Sequence, residues 1–126
     1  MRAVDTNVLV RLIIRDDPKQ VAAGQEFVDT GVWVSIVALA EATWVLRAIY
    51  GRGAAEIAGT VDMLLNHKAV TLQDSEVVAA ALEIFRARPA LGFTDCLLLE
   101  LAQKAGHLPL GTLARNLSKL DGAQKL

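Results

Sequence analysis

The stretch VWVSIVALAEATWVLRAIY, Val32 to Tyr50, decides the fold. Its first three residues are apolar without alternation, the pattern of a strand buried on both faces. Ser35 follows as a helix-capping residue, and Ile36 to Tyr50 then reads as a long apolar helix stopped at Gly51-Arg52-Gly53. A buried strand that feeds directly into a helix is the repeating unit of a parallel α/β sheet.

The same alternation extends outward in both directions. Upstream, a strand over Arg2 to Asp5 runs into an apolar-periodic helix from Val8 to Arg15, with Thr6 and Asn7 as capping residues at the junction. Asp16-Asp17-Pro18 breaks that helix, and Pro18 suits the first turn of a second one reaching Asp29, before Thr30-Gly31. Downstream, the pattern predicts a helix over Ala54 to Asn66, a strand over Ala69 to Leu72, and an amphipathic helix over Ser75 to Arg86, ahead of Pro89. Thr94 is expected to cap a helix from Asp95 to Lys104. A strand over Leu108 to Gly111, a helical piece over Leu113 to Leu117 and a last strand near Ala123 to Leu126 complete the chain. The expected class is α/β, a mainly parallel sheet of four to five strands with helices on both faces, forming one domain from Met1 to Leu126. Sheets of this kind bind ligands at the carboxyl ends of their strands.

Composition narrows the function. Thirteen Lys and Arg against 14 Asp and Glu give a formal charge of −1, not the broad basic footprint of a protein that coats nucleic acid. Action on nucleic acid would therefore run through a local site. The hydrophobic fraction, 53%, exceeds the ~45–50% of ordinary soluble domains, which leaves apolar surface for a partner. Val32 to Leu46 is too short for the ~20 residues of a bilayer span and carries Glu41 near its centre, so no membrane segment is expected. Asp5 interrupts what would be the apolar region of a signal peptide, and a cytoplasmic location is expected. The single cysteine, Cys96, can form neither an internal disulfide nor a thiolate zinc site. It reads as a packing residue, because no histidine is placed to activate it.

Three carboxylates stand where chemistry is expected. Asp5 ends a strand at a strand-to-helix junction, where it either binds a ligand or caps the helix. Glu41 lies mid-helix among Val37, Leu39, Ala40, Trp44 and Val45, so it must face a cation, a cleft or water, or lie on a surface stripe with Thr43 and Arg47. Asp95 sits in the first turn of a helix, where the helix dipole alone favours it by ~0.3–1 kcal/mol. Brought together, three carboxylates repel unless a divalent cation neutralises them. Magnesium suits such oxygen ligands, and a bound ion can polarise a phosphoryl oxygen and acidify an attacking water.

In order and spacing, Asp5-Thr6-Asn7, then Val32-Trp33-Val34-Ser35 with Glu41 on the following helix, then Phe93-Thr94-Asp95 resembles PIN-domain ribonucleases of the VapC toxin type. Leu110-Gly111-Thr112 and Lys119-Leu120-Asp121-Gly122 extend the likeness over essentially the whole chain. The resemblance implies a three-layer α/β/α sandwich and a metal-dependent endoribonuclease toxin held in check by a protein antitoxin. It implies Mg²⁺ or Mn²⁺ on Asp5, Glu41 and Asp95 as catalytic and metal-binding residues, RNA as substrate, and a homodimer. Thr6, Asn7 and Thr94 would lend polar support, with Thr112 and Asn116 near the end of the site. The chain departs from the family at one place: Thr112-Leu113-Ala114 puts alanine where a fourth acid is usual, leaving Asn116, Asp121 or water as substitutes. A catalytically impaired module that binds antitoxin or RNA without cutting is therefore the alternative.

Other polar residues have two readings each. Arg86, Arg88, Arg115 and Lys119 either contact RNA phosphates or neutralise helix ends and surface. His67 and His107 read as capping or surface residues, and Trp33 and Trp44 are expected in the core, with room for one of them to line a partner groove. A phosphate-receiving aspartate domain also ends a strand on Asp, but it needs a second acid two residues on, where Asn7 stands, or an acidic pair preceding the phosphorylated Asp, together with a late-strand lysine that is not evident here.

Overall fold

The computed structural model describes residues 1–126. Strand β1 (Arg2–Ala3) leads to helices α1 (Thr6–Ile14) and α2 (Pro18–Asp29). Strand β2 (Val32–Val34) is followed by α3 (Ile36–Ala48) and α4 (Ala54–Asn66), and β3 (Val70–Leu72) by α5 (Ser75–Ala87) and α6 (Phe93–Ala105). Strands β4 (Leu110–Thr112) and β5 (Ala123–Lys125) close the chain, joined through a 3₁₀ turn at Leu117–Lys119. That turn shares only Leu117 with the helical piece expected over Leu113 to Leu117.

The class is the α/β one read from the sequence, with every strand pairing parallel. The strands divide, however, into a sheet ordered β1-β2-β3 and a separate β4-β5 pair, where the sequence suggested one sheet of four to five strands. Length is the physical reason, since strands of two or three residues form only short ladders. Asp5 keeps an extended backbone but ends the strand path, because its carboxylate Oδ1 accepts from the Val8 backbone N–H at 3.1 Å and caps α1 itself. The capping expected of Thr6 and Asn7 is thus made one residue earlier.

Other caps follow the local sequence. Ser35 accepts from the Ala38 N–H at 3.0 Å, and Asp17 accepts from Lys19 and Gln20 ahead of Pro18. Helix α6 instead begins at Phe93 behind Gly92, so Thr94 lies inside its first turn and does not cap it. His67 terminates α4, and its Nδ1 accepts from the Ala69 N–H at 3.1 Å.

Val4, Val32, Val34 and Leu72 of the strand segments join Leu39, Val61, Val78, Phe85 and Leu97 of the helices in one buried cluster. Burying side chains of this size stabilises by ~1.5–3 kcal/mol each. Trp33 and Trp44 are not part of it: they are 36% and 63% exposed. In β2, successive side chains point to opposite faces, so Val32 and Val34 take the core and Trp33 the other side. In α3 the core stripe belongs to Ala38, Leu39, Ala42, Thr43 and Leu46, which turns Val37, Glu41 and Trp44 outward.

Lys104, in the last turn of α6, bridges Asp74 at 2.7 Å and Glu76, tying that end to the start of α5. This contact holds the Glu76 carboxyl below its ordinary value of 4.5. A lowered folded-state pKa contributes stability above that ordinary value, which is lost as pH falls below it. Urea unfolding of Lys104→Met should accordingly show a shallower acid decline below pH 4.5 than the parent chain, with little difference at high salt. An unchanged acid limb would dismiss the tie.

Candidate active site

Asp5, exposed at the start of α1, shares with Asn7 the rim of an open cleft of about 650 Å³ that also touches Arg11, Gln20 and Phe27. Between them, half-buried Thr6 donates its hydroxyl to Glu41 Oε2 at 3.0 Å. This bond joins residues 35 positions apart and fixes the Asp5-Thr6-Asn7 junction against the middle of α3. It also gives Glu41 a physical role: an exposed carboxylate on a mostly apolar helix, directed toward α1.

Asp95 occupies a second cleft, about 230 Å³, between α3 and α6. Its walls are Trp44 and Arg47 on one side and Thr94 and Asp95 on the other, over buried Phe85 and Phe93. Those two rings meet edge to face, with centroids 5.7 Å apart. Cys96, next in sequence, is fully buried, and burial pushes its thiol up to about 11, with Asp95 adding to the effect. It therefore stays protonated at neutral pH and packs rather than reacts.

The structure thus links Thr6 to Glu41 and sets Asp5 beside Asn7, while Asp95 and Thr94 line a different depression. No group of three His, Cys, Asp or Glu side chains is gathered closely enough to hold a metal ion. In kind, the donors suit a hard divalent cation: they are carboxylate oxygens, and none of the three is engaged by Lys or Arg. Their mutual repulsion opposes a closer approach.

The remaining candidates lie elsewhere. Thr112 Oγ1 accepts from the Ala114 N–H at 3.0 Å and so shapes the turn that carries Ala114. Asn116, Arg115, Arg88 and Lys119 are exposed, and Arg86 stands 3.9 Å from Asp62 of α4. His107 is exposed beyond α6. The structure adds Trp44 and Arg47 to the surroundings of Asp95. Their signal in the sequence was the spacing Glu41, Trp44, Arg47, three residues apart along one helix, which puts consecutive turns on adjoining faces.

The chain is thus a parallel α/β domain with acids at a strand-to-helix junction, in mid-helix and in a helix's first turn. A family model described as PIN domain matches residues 2–122, and the chain belongs to that family. PIN domains are generally nucleases and usually use a divalent metal. No curated protein and no solved structure matches the chain. No helix is long and apolar enough to cross a membrane.

Proposed function

We propose that the chain is a metal-dependent endoribonuclease toxin of the VapC type, acting on RNA in the cytoplasm and inhibited by a protein antitoxin. The observation that carries this reading is the Thr6–Glu41 hydrogen bond, which couples the Asp5 junction to a carboxylate from a separate element. Asp5, Glu41 and Asp95 would hold Mg²⁺ or Mn²⁺, which when bound polarises the phosphoryl oxygen and acidifies water. The chain's own part is to orient these carboxylates: the α1 cap fixes one Asp5 oxygen and Thr6 fixes one Glu41 oxygen, leaving the other oxygen of each free of those bonds. Asn7 and Thr94, both exposed beside the acids, are positioned for hydrogen bonds to the phosphate or sugar.

Ala114, exposed where a fourth acid is usual, and the lack of a gathered three-residue metal cluster favour a second reading. In it the chain binds RNA or an antitoxin and does not cut. The two separate on one comparison. With Mn²⁺, the parent chain should cleave structured RNA, and Ala114→Asp should raise the rate by roughly 10–100-fold, the usual scale for groups that support a metal site. Failure of both proteins to cleave any RNA, with no Mn²⁺ binding by calorimetry at millimolar metal, would select the binding module.

A further inference from the structure

We infer that the face formed by Trp44 and Arg47, opposite Asp95, is a subsite for one unpaired nucleotide of single-stranded RNA, the base lying on the indole and a phosphate on the guanidinium. The choice of RNA as occupant rests on the nuclease reading; the subsite itself rests on the cleft.

Trp44 is 63% exposed, on a helix whose buried stripe accommodates other large side chains. An indole left in water offers an apolar plane on which any base can stack. One turn along, Arg47 is exposed, and none of the chain's ion pairs involves it. An unneutralised guanidinium beside an exposed aromatic ring is complementary to a nucleotide's two chemical halves, its planar base and its anionic phosphate. The two residues share a cleft of about 230 Å³ whose floor is rigid, because Phe85 and Phe93 are packed edge to face beneath it. A depression of that size accepts an unstacked base and not a duplex, whose bases are already stacked on one another.

Position adds a second line of argument. Thr94 and Asp95 form the opposite wall, and Glu41 lies one turn before Trp44 on α3. A nucleotide seated on Trp44 and Arg47 therefore lies in the same cleft as Asp95, one of the proposed metal-binding acids. Neither Trp44 nor Arg47 needs to touch the metal to serve this purpose; they would set where along the strand the scissile phosphate falls.

Fluorescence anisotropy of a labelled single-stranded RNA oligonucleotide, titrated with the full chain in EDTA, tests binding apart from cleavage. Trp44→Leu should weaken binding by at least about tenfold, while Trp44→Phe, which keeps an aromatic plane, should restore most of it. Arg47→Gln should weaken binding and flatten the dependence of log affinity on log salt by about 0.7, the share of a single phosphate contact. Circular dichroism should match the parent chain in each case, since both side chains lie on the surface. Affinities within twofold of the parent for Trp44→Leu and Arg47→Gln, or no binding by the parent, overturn the subsite. So does loss of self-association in sedimentation velocity with RNA affinity unchanged, which would make the face a contact between copies of the chain. A parent chain that binds as expected but never cuts with Mn²⁺ keeps the subsite and removes the nuclease reading. One that cuts while the variants bind equally well does the reverse.

Discussion

Asp5→Asn is expected to reduce RNA cleavage by at least about a hundredfold while leaving thermal stability almost unchanged. The contrast follows from the cap that the side chain makes and the metal-ligand role proposed for it. As the cap of α1, Asp5 needs only an oxygen that accepts from the Val8 N–H, and asparagine caps about as well as aspartate. As a metal ligand it needs negative charge, which the amide lacks. Asp5→Ala removes both functions, so it should additionally lose the ~0.5–2 kcal/mol of the cap. Cleavage rates with Mn²⁺ beside melting curves for both variants make the comparison. An Asp5→Asn protein that cuts at the parent rate would reduce Asp5 to a structural cap.

Phe85→Ala should destabilise the fold more than any surface change considered above, by roughly 3–5 kcal/mol. Phe85 is 1% exposed and meets Phe93 edge to face, so truncation removes buried area, leaves a cavity and breaks an aromatic pair. Against a typical total of ~5–15 kcal/mol, that loss is a large fraction of the stability. For a chain of this length the melting temperature should fall by roughly 10–20 °C. Because Phe93 begins α6 and stands two residues before Asp95, the variant should also bind RNA more weakly below its melting point. Phe85→Leu, which keeps most of the volume, should lose less than half as much. A loss under ~1 kcal/mol for Phe85→Ala would mean that the neighbouring side chains close over the gap.

Much of the helical skeleton was legible because its signals are local. Asp17-Pro18 opens α2, Ser35 opens α3, and Gly51, a left-handed glycine at φ +64°, follows the end of α3 where the sequence placed its stop. Each is a backbone requirement that neighbouring residues satisfy by themselves. The sheet was less legible. Val32, Val34 and Leu72 read correctly as buried strand residues, but the division into β1-β2-β3 and β4-β5 depends on pairings between segments far apart in the chain. Composition could not place the tryptophans either. Helix α3 carries apolar residues on nearly every side, Val37, Leu39, Trp44 and Leu46 among them, so its hydrophobicity does not say which of them will find a partner.

The stretch from Val32 to Tyr50 by itself determined a strand, a capped helix and hence a parallel α/β class, because propensity, capping and periodicity act over a few residues. The sequence also determined that Asp5 stands at a strand-to-helix junction, Glu41 mid-helix and Asp95 in a helix's first turn, and that Cys96 packs. Only the tertiary structure decided that Thr6 reaches Glu41, that Asp5 and Asp95 line separate clefts, and that Trp44 and Arg47 stand opposite Asp95. Those relations are set by how α3 rotates to bury Leu39 and Leu46. That rotation is chosen by the whole core packing at once, and no local stretch of sequence encodes it.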